Sequence, residues 1–472
     1  MFIGKNTEIS RRAFLQRTGQ LAVAGSAASY ALGLAGIGEA AAFSSAGGYK
    51  ALVCVFLYGG NDYANTLIPV DQPNYDRYAA IRGGGGTGGI ALTQASLANT
   101  VLALPQGQTL TNDIRYALAP TMPRLKARYD EGVMAPLLNV GPLVVPLTKV
   151  QYQSDNNASF PKPPKLFSHN DQQSTWQSSG PEGTVTGWGG RMGDLALSSN
   201  TNSMFTAINA TGNAVFLSGR NALPYQVSTN GAVTIGGLSR RVYNSTAARD
   251  ALTSLLRAHN GHVFEADYAQ TMARSITYGG FVNDALRNAS LTTDFGTTNR
   301  LAGQLSVVAR LIAARAALGV TRQVFLVSLG GFDHHDGLLG SHDALLGQVD
   351  FAMDAFYRAT VELGVANQVT TFTASDFGRT LSSNGDGSDH GWGAHHFIMG
   401  GAVAGGRFYG TAPQVSVTSD DQVGQGRLLP TTSVDEYSAT LARWFGVSDS
   451  ELPSVAPNIG RFATSNLGFM RI

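Results

Sequence analysis

Acidic and imidazole residues stand in this sequence just after its apolar runs. Asp62 follows one such run, and Asp333, His334 and His335 follow another. Asp376 follows a third, and Asp389 and His390 lie in a glycine-rich loop beyond it. Six of the nine histidines fall between His334 and His396. Neutral imidazole and carboxylate together suit zinc, manganese or iron, whereas carboxylate alone suits calcium or magnesium. The pattern predicts a divalent-metal site, of zinc, manganese, iron or calcium. A solvated polar cluster is the plainer alternative. The local signature His-Glu-x-x-His is absent, so the site must be assembled from distant segments.

Each group also has a bland explanation. Asp62 follows two glycines and suits an Asx turn. His342 sits beside a helix that opens there. His395 and His396 alternate along an apparent strand, so only one of them can reach a site. Arg379 either pairs with Asp376 or holds an anionic group of a substrate.

The elements that must position these residues can be read from apolar periodicity. Lys50 to Leu57, Val133 to Val140, Val324 to Leu329 and Val369 to Thr373 read as buried strands, and His396 to Met399 as one more. Met122, Leu125 and Tyr129 recur at helical spacing before Glu131-Gly132. Leu301, Leu305, Val308, Leu311 and Ile312 mark an amphipathic helix, and Leu345, Leu346, Val349, Met353, Phe356 and Leu363 mark the next. This alternation predicts an α/β fold with a mostly parallel central sheet and helices on both faces. The strand–helix–strand order of the first two strands suggests that they pair in parallel. In such sheets functional groups gather beyond the carboxyl ends of the strands. From about 200 to 299 the pattern loosens: 214–217 suggests a strand, and 252–259 and 268–286 suggest helices. That stretch reads as an elaboration on the core domain.

The polar segments resemble the motifs of the domain-of-unknown-function 1501 family. Leu57-Tyr58-Gly59-Gly60-Asn61-Asp62 is similar to its opening motif. Ser168-His169-Asn170-Asp171-Gln172-Gln173 resembles its Ser-His-Phe-Asp-Ala-Gln segment, with Asn170 and Gln172 as departures. Gly187-Trp188-Gly189-Gly190-Arg191 resembles Gly-Trp-x-x-Arg, and Gly330-Gly331-Phe332-Asp333-His334-His335 resembles Gly-Gly-Phe-Asp-Thr-His. Ala374-Ser375-Asp376-Phe377-Gly378-Arg379-Thr380 resembles Ser-Glu-Phe-Gly-Arg-Thr, with Asp376 where the family often has Glu. Asp389-His390-Gly391 and Met399-Gly400-Gly401 complete the series in family order.

The family is similar to the alkaline phosphatase and sulfatase superfamily. That likeness implies an alkaline-phosphatase-like fold and a metal-dependent hydrolase of phosphate or sulfate esters. By the resemblance, Asp62 is a metal ligand, and Asp376 and His390 serve the same or a neighbouring ion. Asp333 and His335 ligate the other ion, with His342 competing for the place of His335. Ser168 is the implied nucleophile and His169 a base or ligand. A non-catalytic exported protein that binds metal or a ligand with the same fold is the alternative.

Composition sets the remaining bounds. Of 472 residues, 43% are hydrophobic and 14% charged, with a formal net charge of +1. That balance gives no reason to expect a nucleic-acid partner or an anionic membrane surface. The lone cysteine, Cys54, lies in an apolar run and reads as a buried inert thiol. Ser10-Arg11-Arg12-Ala13-Phe14-Leu15 precedes a weakly apolar segment rich in Ala and Gly, then Ala40-Ala41-Ala42. This reads as a twin-arginine export signal over 1–42. The expected partners are the twin-arginine translocase during export and a small anionic ester. The mature domain, 43–472, is then periplasmic or secreted, with no stable membrane span.

Overall fold

The computed structural model describes residues 43–471, apart from 45–47, 84–88, 213, 234–235, 240 and 259–262. The export signal expected over 1–42 lies outside the described residues.

The strands are β1 (Lys50–Tyr58), β2 (Leu67–Pro69), β3 (Tyr116–Leu118), β4 (Met134–Gly141), β5 (Ala207–Asn209) and β6 (Tyr225–Ser228). They continue with β7 (Gly231–Ala232), β8 (Arg322–Gly330), β9 (Val369–Ser375), β10 (Ala394–Met399) and β11 (Thr432–Ser433). The principal helices are α1 (Pro123–Asp130), α2 (His169–Ser178), α3 (Trp188–Ala196) and α4 (Thr246–Arg257). They are followed by α5 (Val263–Asn288), α6 (Arg300–Ala313), α7 (Leu338–Glu362) and α8 (Val434–Phe445).

Nine strands form one mixed sheet in the order β11-β4-β10-β9-β1-β8-β5-β6-β7. β1 is parallel to both β8 and β9, and β5 is parallel to β8 and β6. β10 is antiparallel to β9 and β4, and β7 is antiparallel to β6. Parallel pairing of the first two sequence-read strands therefore does not occur: β4 points the same way as β1, but β9 and β10 lie between them.

The apolar run of β1 is explained by cover on both faces. Ala51, Val53, Val55 and Leu57 enter one core cluster, whereas Leu52, Cys54 and Phe56 enter another. Successive strand side chains point to opposite faces, so a strand buried on both sides needs an unbroken apolar run. α6 and α7 fill the first cluster through Leu301, Leu305, Val308, Leu346, Met353 and Phe356. Trp176 of α2, Trp188 of α3 and the buried face of α8 fill the second. Truncating Phe56, which is fully buried, to alanine would cost about 3–5 kcal/mol.

Local signals set the helix ends. Asn299 accepts from the Ala302 amide at 3.0 Å and caps α6. Ser433 and Glu436 form a reciprocal capping box that opens α8. In the 200–299 stretch the two expected helices form α4 and α5. The expected strand at 214–217 is instead a 3₁₀ turn over Val215–Leu217, and β5, β6 and β7 extend the sheet nearby.

Candidate functional site

The sheet order places the carboxyl ends of β9, β1 and β8 side by side. Asp376 follows β9 and Asp333 follows β8, so both carboxylates come to one rim. The chain leaving β1 runs against them. A Cβ at Gly59 would lie 2.4 Å from the Asp333 amide nitrogen, so only glycine permits that approach. The Gly59 amide, in turn, donates to Asp376 Oδ2 at 3.2 Å. His169 begins α2, and an isolated bridge between Arg379 and His390 folds the loop after β9 back to the rim.

Three imidazoles then surround one carboxylate. His169 bonds Asp376 Oδ2 through Nδ1 at 2.7 Å, and its Nε2 lies 3.2 Å from Asp333 Oδ2. His390 donates from Nδ1 to the Phe167 carbonyl at 2.7 Å, and its Nε2 lies 3.2 Å from Asp333 Oδ1. His335 bonds Asp389 Oδ1 through Nδ1 at 3.3 Å, and its Nε2 lies 3.1 Å from Asp333 Oδ1 and 2.9 Å from His390 Nε2. In each ring Nδ1 faces an acceptor, which places the proton of the neutral imidazole there and leaves a lone pair on Nε2. Three lone pairs thus converge on a carboxylate that itself can only accept.

Arg379 supplies one donor to Asp333, but the facing lone pairs of the imidazoles and the carboxylate still repel unless a proton or a further cation sits among them. His169 Nε2 makes no hydrogen bond despite its closeness to Asp333, and it is buried. His169, Asp333 and His390 each offer one ligating atom within 4.8 Å of the others. Donors about 2 Å from a common zinc ion stand roughly 3.3 Å apart, and the Nε2 atoms of His169 and His390 each lie 3.2 Å from an Asp333 oxygen. Imidazoles whose second nitrogen donates to a carboxylate or a carbonyl are the usual surroundings of a bound metal. The residues present fit a divalent cation.

The local charges agree with crowding of acceptors. The hydrogen bond to Asp376 holds the His169 ring above the ordinary imidazole range, against burial. Burial pushes the Asp333 carboxyl up, but the hydrogen bond and charge of Arg379, with His169 and His335, hold it below the usual carboxylate range. Burial lowers His390, only partly offset by the Phe167 carbonyl. Phe167 adopts φ +72°, an uncommon conformation for a bulky residue, and in it offers that carbonyl to His390.

The other expected residues sit around this core. Asp62 is fully buried, accepts from the Ala64 amide at 3.1 Å in an Asx-type turn, and is paired with the equally buried Arg82. His342 is buried and bonds the Asn61 side chain at 3.0 Å. The structure therefore joins His169, Asp333, His335, Asp376 and His390, and gives Asp62 and His342 other partners. Arg379 is fully buried and donates to Asp333 Oδ1 at 2.7 Å, to the Gly59 carbonyl at 3.1 Å and to Ser388. It positions Asp333 and leaves little for a substrate anion. Ser168 donates to Asp171 Oδ2 at 2.8 Å. Arg191 of the Gly-Trp-x-x-Arg segment is structural, tying the carbonyls of Ser178, Thr186 and Val455 together.

Sequence reasoning missed Arg427. Its Nε donates to the His390 carbonyl at 2.7 Å, and its guanidinium lies over the Phe167 ring at 5.1 Å. Its terminal nitrogens carry no hydrogen bond among the described residues, so it offers a half-exposed cation beside the cluster. No motif surrounds it, and only the fold brings it near His390. Gln173 was also passed over: it donates to Asp376 Oδ2 at 2.8 Å, one turn along α2 from His169.

A family model described as "Protein of unknown function (DUF1501)" matches residues 49–452. No curated protein matches the chain. Among solved structures, the lipoteichoic acid synthase LtaP from Listeria monocytogenes is similar over 86% of this chain and 74% of its own, at 9% identity and a TM-score of 0.32. Ps i-CgsB is similar over 87% and 77%, at 11% identity and a TM-score of 0.34. Its complex with k-i-k-neocarrahexaose gives 10% identity and the same TM-score, 0.34. These likenesses are loose.

Proposed function

This chain belongs to the DUF1501 family, and on that premise we propose that it is an exported, metal-dependent hydrolase of phosphate or sulfate esters with an alkaline-phosphatase-like site. One observation carries the reading: the Nε2 atoms of His169, His335 and His390 converge on Asp333 while each Nδ1 faces an acceptor. These four side chains would hold the cation, and Asp376, Asp389 and the Phe167 carbonyl would orient the rings. A divalent ion bound there would polarise a non-bridging oxygen of the ester.

The chain's own residues supply the rest. Ser168 precedes His169, so its Cα lies about 3.8 Å from that of a cluster residue. Its hydroxyl already donates to Asp171, a buried carboxylate able to take the proton as Oγ attacks. The bond from Oγ to phosphorus or sulfur forms, the ester bond breaks, and the leaving alcohol takes the proton that Asp171 received. Water then releases the acid and restores the hydroxyl. Arg427 holds non-bridging oxygens with its free terminal nitrogens. Ser10-Arg11-Arg12 directs the chain to the twin-arginine translocase, and the mature protein works in the periplasm or outside the cell. No helix among the described residues is long and apolar enough to cross a membrane.

The test is metal analysis of natively exported protein together with turnover of p-nitrophenyl phosphate, its bis-ester and p-nitrophenyl sulfate. About one transition-metal ion per chain and hydrolysis of at least one ester are expected, with both lost in His390→Ala. Full turnover in His390→Ala ends the reading. Bound metal with no turnover of any ester selects the non-catalytic metal-binding alternative.

A further inference from the structure

Beyond Tyr58, along the same sheet edge as the imidazole cluster, a cavity of about 380 Å³ opens between Tyr58, Thr211, Arg300, Gln304, Ser328 and Gly330. It continues into a second cavity of about 610 Å³ that shares Thr211, Arg300 and Gln304 and reaches Thr229. Together they form a trough along the carboxyl edge of β1, β8, β5 and β6. Three strand spacings of about 4.8 Å make it roughly 14 Å long, too long for a single small ester. Gly330, at the trough's edge, leads along the chain to the cluster. Gly330 is three residues from Asp333, at most about 10 Å of chain, and the Phe332 amide donates to the Tyr58 carbonyl at 3.1 Å.

The floor is fixed and polar. Both ends of the Gln304 amide are held by the Ser328 main chain at 2.9 Å, and the Thr211 and Ser328 hydroxyls bond each other at 2.5 Å. Arg300 differs from these. It is exposed in the trough, and its guanidinium makes no hydrogen bond or ion pair among the described residues. It also stands at the first position of α6, where the helix dipole disfavours a cation. A cation kept there against the dipole, over a polar floor, suits an anion delivered from outside.

We propose that this trough binds the remainder of the substrate: a polyhydroxylated chain carrying sulfate or phosphate esters, with Arg300 gripping an ester beside the one at the cluster. The identity of the substrate class rests on the hydrolase reading. The binding itself does not, and the test keeps the two apart.

Calorimetry on the full chain with dextran sulfate, dextran phosphate and plain dextran oligomers reads binding with no turnover required. At least one charged probe should bind tenfold or more tighter than plain dextran, and the better of the two identifies the ester. Arg300→Gln should weaken that probe about tenfold. Gly212→Trp should block it by filling the trough, since a Cβ at Gly212 meets nothing within 4 Å and the fold can accept it. Equal affinity in wild type and Arg300→Gln, or no binding of either charged probe to wild type, overturns the proposal. Binding without hydrolysis of any ester would leave the trough standing and remove the hydrolase.

Discussion

The histidines at the rim and those in β10 occupy opposite environments. At the rim, each of His169, His335 and His390 has an acceptor on Nδ1 and turns Nε2 toward Asp333. In β10, His395 and His396 are both buried, and their hydrogen-bond partners among the described residues, Asn139 and Thr373, lie outside the rim cluster. His395 Nδ1 accepts from the Asn139 amide at 3.1 Å and packs edge-on against Tyr63. His396 lies edge-on to Trp176 at 5.0 Å, and its Nε2 has no partner. Burial lowers both to about 3. The Thr373 hydroxyl also lies 3.3 Å from His396 Nδ1, so what sets the rim rings apart is the Asp333 carboxylate that their Nε2 atoms face, and neither number in the chain nor depth identifies them.

The sharpest way to break the comparison is to remove a rim ring. His390→Ala should lower metal content to background and turnover by at least about 100-fold, with the fold retained. A protein that keeps its metal would show that the rim rings are as structural as the β10 pair. Asp376→Asn tests the acceptor itself. It keeps the side-chain shape but offers His169 a weaker partner, so metal affinity by competition with a chelator should fall about 10–100-fold. No change would mean that Nδ1 partners do not matter here. Arg427→Gln should raise KM about tenfold with a smaller effect on kcat, and Arg427→Lys should recover part of it. Equal losses in both variants would assign Arg427 to holding the His390 carbonyl alone.

Most of the layered fold was legible because long elements carry long patterns. β1, β8, β9, α6 and α7 each bury many periodic side chains. β5 and β7, with 3 and 2 residues, are too short to show a period, and they sit where the sequence loosens. Convergence of Asp333 and Asp376 followed from their places after strands, and that of His390 from the glycine-rich loop beyond β9. The fate of Asp62 did not: Arg82, 20 residues on, reaches it only because the intervening chain folds back. Arg379 was legible as an arginine near carboxylates, but its burial, which turns it from a substrate holder into a support for Asp333, belongs to packing. Arg427 and the trough around Arg300 come from segments with no motif, and only tertiary structure brings them to the rim.

The core side of the comparison is probed by pH. A histidine near 3 in the fold and about 6.5 unfolded binds fewer protons in the native state between those values. Stability from His396 is therefore complete above about pH 6.5 and is lost as pH falls toward 3. His396→Phe keeps a ring against Trp176 and Tyr437 and removes the titrating group. Between pH 4 and 6 the slope of unfolding free energy against pH should flatten by about 1.4 kcal/mol per pH unit, one proton's worth. Asp350 acts in the opposite direction. Burial pushes its carboxyl up to about 6, so the native state holds its proton and stability from this group falls as pH rises from about 4 to 6. Asp350→Asn retains an acceptor for the Leu125 amide, now at 2.7 Å from the carboxylate, and should steepen the slope that His396→Phe flattens. Denaturant titrations of both variants across that range give the two signs directly. An unchanged slope in His396→Phe would mean that this ring already meets solvent in the native state, and the division between rim and core histidines would lose its basis.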